Sequence, residues 1–395
     1  MDHETLYWIW LAGRAGLGPV KLRQLLEHRG NPQRLYQALP EELTRMGLSE
    51  RVRQALSDKD LQSARNILRR CEALGVTIFT LRDKAYPAAL RQTPDAPPVL
   101  YCLGALPESG RQPWIGVVGS READQRGLQT ARSLGAQITA CGGIVVTGMA
   151  KGIDAEAAWG ALDLDGPVVG VLGGGVDTVY PRENAALYEK AKRKGCLLSE
   201  YPPGVTPNAR HFPARNRIIS ALSDGVVVVQ AAEHSGALIT ARWAADQGRD
   251  VFAVPGPGGD PKCRGSNQLL RDGAILAESG WDILREYVYR YPGAVKAPEA
   301  APRLKAPEAV HEGQPGAKVP PAAGKDPSPA PRAEIDFSAL SPIQKQIVEA
   351  LQNGPVQLDT LIDRLGLPAA QLLPQLTLLQ VKKRISQKPG KIYQL

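Results

Sequence analysis

"WIGVVGSREADQRGLQTARSLGAQITACGGIVVTGMAKGID", residues 114–154, decides the fold. Two short β-branched runs, "WIGVV" and "IVV", flank a stretch whose apolar residues recur at three- and four-residue spacing, which predicts strand, helix, strand. Neither run alternates apolar with polar residues, so both faces of each strand are expected to be covered. Working outward, "VVGVLGGG" (168–175), "CLLSE" (196–200), "VVVVQ" (226–230) and "VFAVPG" (251–256) repeat the pattern with helical text between them. Alternating β and α with continuous apolar strands predicts a parallel, doubly wound sheet.

The flanks read differently. Before about residue 75, "GPVKLRQLLEH" and "SARNILRRCEALG" carry helical spacing, the latter closing on Gly75 as a C-cap, so residues 1–75 are expected to form a helical domain and 76–290 the α/β core. Residues 291–334 are dominated by "KAPEAAPRLKAPEAVHEGQPGAKVPPAAGKDPSPAPRA", with too few branched or aromatic residues to bury a core, and are expected to be an extended linker. In 335–395, "SPIQKQIVEALQNG", "LDTLIDRLG" and "PAAQLLPQLTLLQ" read as three helices, and "RISQKPGKIYQL" as a hairpin turning near Pro389-Gly390. That order is winged-helix architecture.

Composition narrows the partner. Forty-eight Lys and Arg against 40 Asp and Glu give a net charge of +8, which favours a polyanion over an acidic protein. Cys71, Cys102, Cys141, Cys196 and Cys263 are scattered with no C-x-x-C, and the five histidines lack metal-ligand spacing, so neither a disulfide framework nor a metal site is expected. The amino-terminal decapeptide "MDHETLYWIW" has acids where a signal peptide carries Lys or Arg, and no segment approaches about 18 uninterrupted apolar residues. A cytoplasmic protein with no membrane partner is the expectation.

In an open parallel sheet, ligands lie outside the carboxyl ends of the strands. The residues found there are "GSR" (119–121), "TGMAKGID" (147–154), "LGGGVDTVYPREN" (172–184) and "SEYPPG" (199–204). Glycines 119, 148, 152 and 173–175 are expected to let backbone amides approach phosphate. The chain lacks G-x-x-x-x-G-K-S/T, and "GGGVDT" lacks the third glycine of a dinucleotide fingerprint, so an ordinary ATP or NAD site is a poor fit and no cofactor is expected. "RHFPARNRIIS" (210–220) precedes the strand "VVVVQ" on the same edge: Phe212 offers a face to a base, and Arg210, Arg215 and Arg217 offer charge to successive phosphates. The rival reading makes the segment a plain helix start, with Phe212 stapled into the core and Arg215 and Arg217 solvated or salt-bridged. Ser199, Ser235 and Ser266 sit in no nucleophile elbow, and Asp154, Asp177 and Glu200 are expected to hold loop amides or position arginines.

The ordered series "GSR", "TGMAKGID", "LGGGVDTVYPREN", "SEYPPG", "HFPARNRIIS", "SGALITARWAADQGRDVFAVPG" and "GSNQLLRDGA" closely resembles the DNA-processing protein A family (DprA, also called Smf) over roughly residues 76–285. The resemblance implies a Rossmann-like core that binds single-stranded DNA, a homodimer, and loading of the RecA recombinase in natural transformation, without established catalysis. Carried onto this chain, the pocket comprises Gly119, Ser120 and Arg121, the Gly148–Gly152 turn with Lys151, and Arg210, Phe212, Arg215, Asn216 and Arg217. It also implies that the amino-terminal helices form a sterile-alpha-motif-like domain, in which "GLGPVKLRQLL" (16–26) resembles a helix-hairpin-helix turn whose glycines let amides meet a phosphate; a plain capped helix start is the rival reading.

Two departures stand out. Asp124-Gln125-Arg126-Gly127 replaces the family's Ser-x-Tyr-Gly, placing a carboxylate that would repel phosphate unless Arg126 neutralises it. Gln230 stands where the family's strand ends in glutamate, which weakens any acid–base role there. In the C-terminal domain the third helix lacks Lys and Arg, and charge gathers at Lys382, Lys383, Arg384, Lys388 and Lys391; a secondary DNA contact through the backbone, or docking of a protein partner, is expected there ahead of sequence-specific duplex recognition. The alternative function is a nucleotide-processing enzyme of phosphoribohydrolase type using Glu200 or Asp177.

Overall fold

The computed structural model describes residues 3–298, 341–352, 354–367, 372, 375–376, 379–380, 384–388 and 392–394. Six helices open the chain: α1 (His3–Ala12), α2 (Pro19–Arg29), α3 (Pro32–Gln37), α4 (Pro40–Arg45), α5 (Glu50–Ser57) and α6 (Gln62–Leu74). Trp10, Leu22, Leu35, Leu43 and Leu56 form their common core. α6 stops because Gly75 turns left-handed (φ 67°), a conformation that costs glycine nothing. Trp8, Cys71 and Val76 pack on Val99 and Tyr101 at the sheet edge, and residues 1–301 make one compact unit.

The core elements follow as β1 (Thr77–Thr80), α7 (Ala88–Arg91), β2 (Val99–Gly104), β3 (Trp114–Val118), α8 (Gln125–Ala140), β4 (Ile144–Thr147) and α9 (Ile153–Asp163). Next come β5 (Val168–Val171), α10 (Ala185–Lys194), β6 (Cys196–Ser199), α11 (His211–Leu222), β7 (Gly225–Val228) and α12 (Ala237–Asp246). β8 (Asp250–Ala253), α13 (Arg264–Arg271), β9 (Ile275–Leu276) and α14 (Gly280–Leu284) complete them. The sheet order is β1-β2-β6-β5-β4-β3-β7-β8-β9. Strands β3 to β9 pair parallel, as the apolar runs predict, whereas β1 and β2 join antiparallel at the β6 edge. The connection between β1 and β2 holds the four-residue α7, and the two strands pair antiparallel.

Successive strand residues feed two cores. Ile115, Val117, Val145 and Val227 face one layer with Leu134, Ala157 and Leu162; Trp114, Val118, Val146 and Val228 face the other with Ile218, Ile219 and Ala241. Burial of strand residues on both sheet faces explains why the runs show no polar alternation. From β3 the chain winds through β4, β5 and β6 on one side, then returns to place β7 on the other. The loops after β3 and β7 therefore part, opening a crevice at their carboxyl ends.

The C-terminal unit contains α15 (Pro342–Leu351), β10 (Val356–Gln357), α16 (Leu358–Leu365), β11 (Ser386–Lys388) and β12 (Ile392–Gln394). Ser341 caps α15 in a capping box with Gln344. The strands form an antiparallel β10-β12-β11 sheet, and Ile347, Leu361, Leu372, Leu376, Leu379 and Tyr393 are buried together. Helices α15 and α16, the buried Leu372, Leu376 and Leu379, and the antiparallel β11–β12 pair follow the winged-helix order. The expected turn at Pro389-Gly390, with Lys382, Lys383 and Lys391, lies outside the described residues, as does most of the expected linker; Arg384 is half-buried, and Lys388 lies on β11.

Candidate functional site

A cleft of ≈ 900 Å³ opens at that crevice, between the loop after β3, the loop after β7 and the start of α11. Helical spacing explains which α11 residues line it. Phe212, Arg215, Asn216 and Ile219, at i, i+3, i+4 and i+7, all border the cleft. Gly119, Ser120 and Arg121 form the wall after β3.

Phe212 is half-buried, with the Arg121 guanidinium carbon 5.1 Å from its ring centroid and the Tyr180 ring 5.3 Å away at 33°. Cation over ring and ring beside ring are both attractive contacts. Beneath them, His211 hydrogen-bonds through Nδ1 to the Gly173 carbonyl at 3.0 Å and stacks on Tyr201 with 4.1 Å between centroids. Because that carbonyl only accepts, Nδ1 carries the proton. Gly173 has no Cβ, and one would stand 3.1 Å from Phe212 Cδ1. The first residue of the triple glycine thus makes room for the aromatic ring.

That finding corrects one expectation: the glycine turns chiefly accommodate the protein's own groups. The Gly148 amide donates to Asp154 Oδ2 at 3.1 Å, so the "TGMAKGID" turn is filled by an internal carboxyl. Burial pushes that carboxyl up, opposed by the nearby Arg215 charge and the amides of Ala150 and Gly148. A side chain on Gly148 would strike the Arg215 guanidinium, and one on Gly152 (φ 76°) the Ser120 carbonyl. Gly148 and Gly152 do not border the cleft, whereas Gly119 does.

The arginines divide in the same way. Arg215 is 3% exposed at the cleft floor and donates through Nη1 to the carbonyls of Gly148, at 2.7 Å, and Val171. Arg217, 7% exposed, points away: its fork donates to Glu200 at 3.0 and 2.9 Å, and Nε pairs with Asp95 Oδ2 at 3.1 Å. The expectation that Arg215 and Arg217 meet successive phosphates is corrected accordingly. Two residues apart on a helix, they cannot share a face, and carboxylates saturate the second. Here the rival reading holds for Arg217, which is salt-bridged, but not for Phe212, nor for Arg215, which is buried at the cleft against backbone carbonyls. Arg210 is exposed ahead of α11, outside the cleft. Lys151, also exposed and outside it, pairs with Glu183 at 2.5 Å, which raises its ammonium above the ordinary range.

The expected duties of the acids are met. Asp177 accepts Arg70 Nη2 at 2.6 Å and the Gly204 amide at 2.8 Å, tying α6 to the loops beside the cleft. Asp124 caps α8 by accepting the Gly127 amide at 2.8 Å, and Arg126 stands 3.6 Å from it. Gln230 braces the same corner, accepting the Asp124 amide at 3.0 Å.

Several cleft residues escaped the sequence reading, Tyr180 and Arg264 among them. Tyr180 lies inside the quoted "LGGGVDTVYPREN" and is 47% exposed; Arg264, at the start of α13, is exposed on the rim. Tyr180 carried a signal in its motif. Arg264 carried none, since only the crossover through β8 returns it to the cleft. Glu122, Glu233 and His234 also stand on the rim, and among the described residues no cluster of His, Cys, Asp and Glu could hold a metal ion. Nor is any described helix long and apolar enough to cross a membrane.

A family model described as DNA recombination-mediator protein A matches residues 77–288, and one described as DprA winged helix domain matches residues 325–391. Protein Smf of Synechocystis sp. is 32% identical over 409 residues, covering 100% of this chain and 99% of that protein. DNA processing protein DprA of Bacillus subtilis is 41% identical over 212 residues, covering 54% of this chain and 71% of the relative. The X-ray structure of DNA processing protein A (DprA) from Streptococcus pneumoniae matches with a TM-score of 0.63 at 32% identity, covering 71% of this chain and 97% of that one.

Proposed function

Because the chain belongs to the DNA recombination-mediator protein A family, we propose that its cleft binds single-stranded DNA. The observation that carries the reading is the half-buried Phe212 ring in the crevice at the carboxyl ends of β3 and β7, with a guanidinium against it. Unpaired bases offer flat faces to such a ring, and a duplex does not, so the site favours a single strand. In this reading Arg121 and Arg264 on the rim, with Arg210 and Lys151 beyond it, meet phosphates. Arg215 and Asn216 form the floor, and Arg217 holds α11 in place from behind. The names of the relatives, which speak of DNA processing and recombination mediation, support the same substrate class.

The finer steps rest on the family resemblance. We propose that a cytoplasmic homodimer protects the incoming strand and loads RecA onto it, and that Lys382, Lys383, Arg384 and Lys388 add a backbone contact. The enzyme alternative is disfavoured: Glu200 is bound by Arg217 and Asp177 by Arg70, and neither acid lines the cleft.

Fluorescence anisotropy with single- and double-stranded oligonucleotides of equal length, across a salt series, tests the proposal. Tighter binding of the single strand, with log affinity falling linearly against log salt, is expected. Equal affinity for both forms would overturn it. Deleting residues 335–395 should spare strand binding in the cleft, and a RecA pull-down with the full chain checks the hand-off.

A further inference from the structure

We propose that Tyr180 is a second base-stacking platform, forming with Phe212 a ledge that holds two neighbouring bases of the strand; this rests on the reading of the cleft as a single-strand site. Tyr180 is 47% exposed, yet its backbone is firmly held. Tyr188 donates its hydroxyl to the Tyr180 carbonyl at 2.7 Å. Four residues on from Tyr180, Asn184 donates to the carbonyls of Met149 at 2.9 Å and Ala150 at 3.3 Å, pinning the segment to the "TGMAKGID" turn. A rigid backbone presenting an open ring places a flat apolar face with little ordering cost on binding.

The two rings are 5.3 Å apart and inclined by 33°, an offset, tilted contact rather than a parallel face-to-face stack. No base fits between rings so close, but each ring leaves area toward the cleft. In the free protein the Arg121 guanidinium lies against Phe212. A base arriving on Phe212 takes over that contact, and Arg121 turns to a phosphate of the same strand, exchanging a cation–ring contact for a charge-assisted hydrogen bond. Tyr180 needs no such displacement and receives the adjacent base.

The test couples the residue to the base. Affinities of the full-length protein and of Tyr180→Ala, Tyr180→Phe and Phe212→Ala are measured for oligo-dT and for an abasic oligonucleotide of the same length. Tyr180→Ala is expected to weaken oligo-dT binding about tenfold, leave the salt slope unchanged and have no effect on the abasic strand, while Tyr180→Phe binds as the parent does. Equal weakening on both strands, or no change on oligo-dT, overturns the proposal while the cleft reading stands. If the parent protein fails to bind oligo-dT at all, the cleft reading itself falls.

Discussion

Asp154 Oδ2 accepts the amide of Gly148 at 3.1 Å, closing the turn between β4 and α9 around a carboxyl supplied by the chain itself. A turn that sequence reading assigns to an external phosphate is already occupied. Asp154→Ala should therefore act on the fold before it acts on any ligand: it leaves the Gly148 and Ala150 amides without their acceptor and removes the charge nearest Arg215. The expected loss is about 2–4 kcal/mol of unfolding free energy, read from urea denaturation, with Asp154→Asn milder because its carbonyl still accepts. A fully stable Asp154→Ala would mean that the turn does not depend on its internal acid.

Arg217 and Arg121 should fail in opposite ways. Arg217→Ala strands Asp95 and Glu200 in a nearly buried site, at a cost of about 3–5 kcal/mol. Arg121→Ala and Arg264→Ala, on the exposed rim, should stay within about 0.5 kcal/mol of the parent in thermal unfolding. Each should also reduce the slope of log affinity against log salt by about 1. A rim variant whose slope matches the parent's would remove that arginine from the phosphate path.

Gly152 tolerates no side chain. At φ 76° and ψ −128° it sits where other residues are strained, and a Cβ would overlap the Ser120 carbonyl of the neighbouring turn. Gly152→Ala is expected to lose at least about 2 kcal/mol of stability and to spread the β3 and β4 loops, lowering strand affinity as well. Circular dichroism melts with parallel binding titrations measure both.

The α8 cap gives a pH signature. Hydrogen bonding from the Gly127 amide, then from Gln230, holds the Asp124 carboxyl below its ordinary value. Folded affinity for the proton is thus lower than in the unfolded chain. The contribution is full above the unfolded value of about 3.9 and fades as pH falls through the depressed one. Asp124→Ala should cost about 1 kcal/mol at neutral pH, shrinking toward pH 3, in urea titrations at several pH values. A constant gap over that range would show that the charge plays no part in the cap.

Much of the site was legible along the chain because it depends on local periodicity. Phe212, Arg215, Asn216 and Ile219 share a helix face by spacing alone, and the same spacing sends Arg217 to the other side. Reading "ARNR" as a cluster of equal charges overlooked that geometry. Asp154, Asp177 and Glu200 were expected to serve amides and arginines, and they do.

The parallel strands and the covering helices were written into the residues themselves, since uninterrupted β-branched runs are stable only when buried on both faces. The tertiary structure alone decided what fills that edge. Whether a glycine faces a ligand or a neighbouring side chain, and whether an arginine meets solvent or a buried carboxylate, depends on contacts between separate segments of the chain. Gly173 against Phe212, Gly148 against Arg215 and Arg217 against Asp95 and Glu200 arise only when the crossovers bring separate turns together.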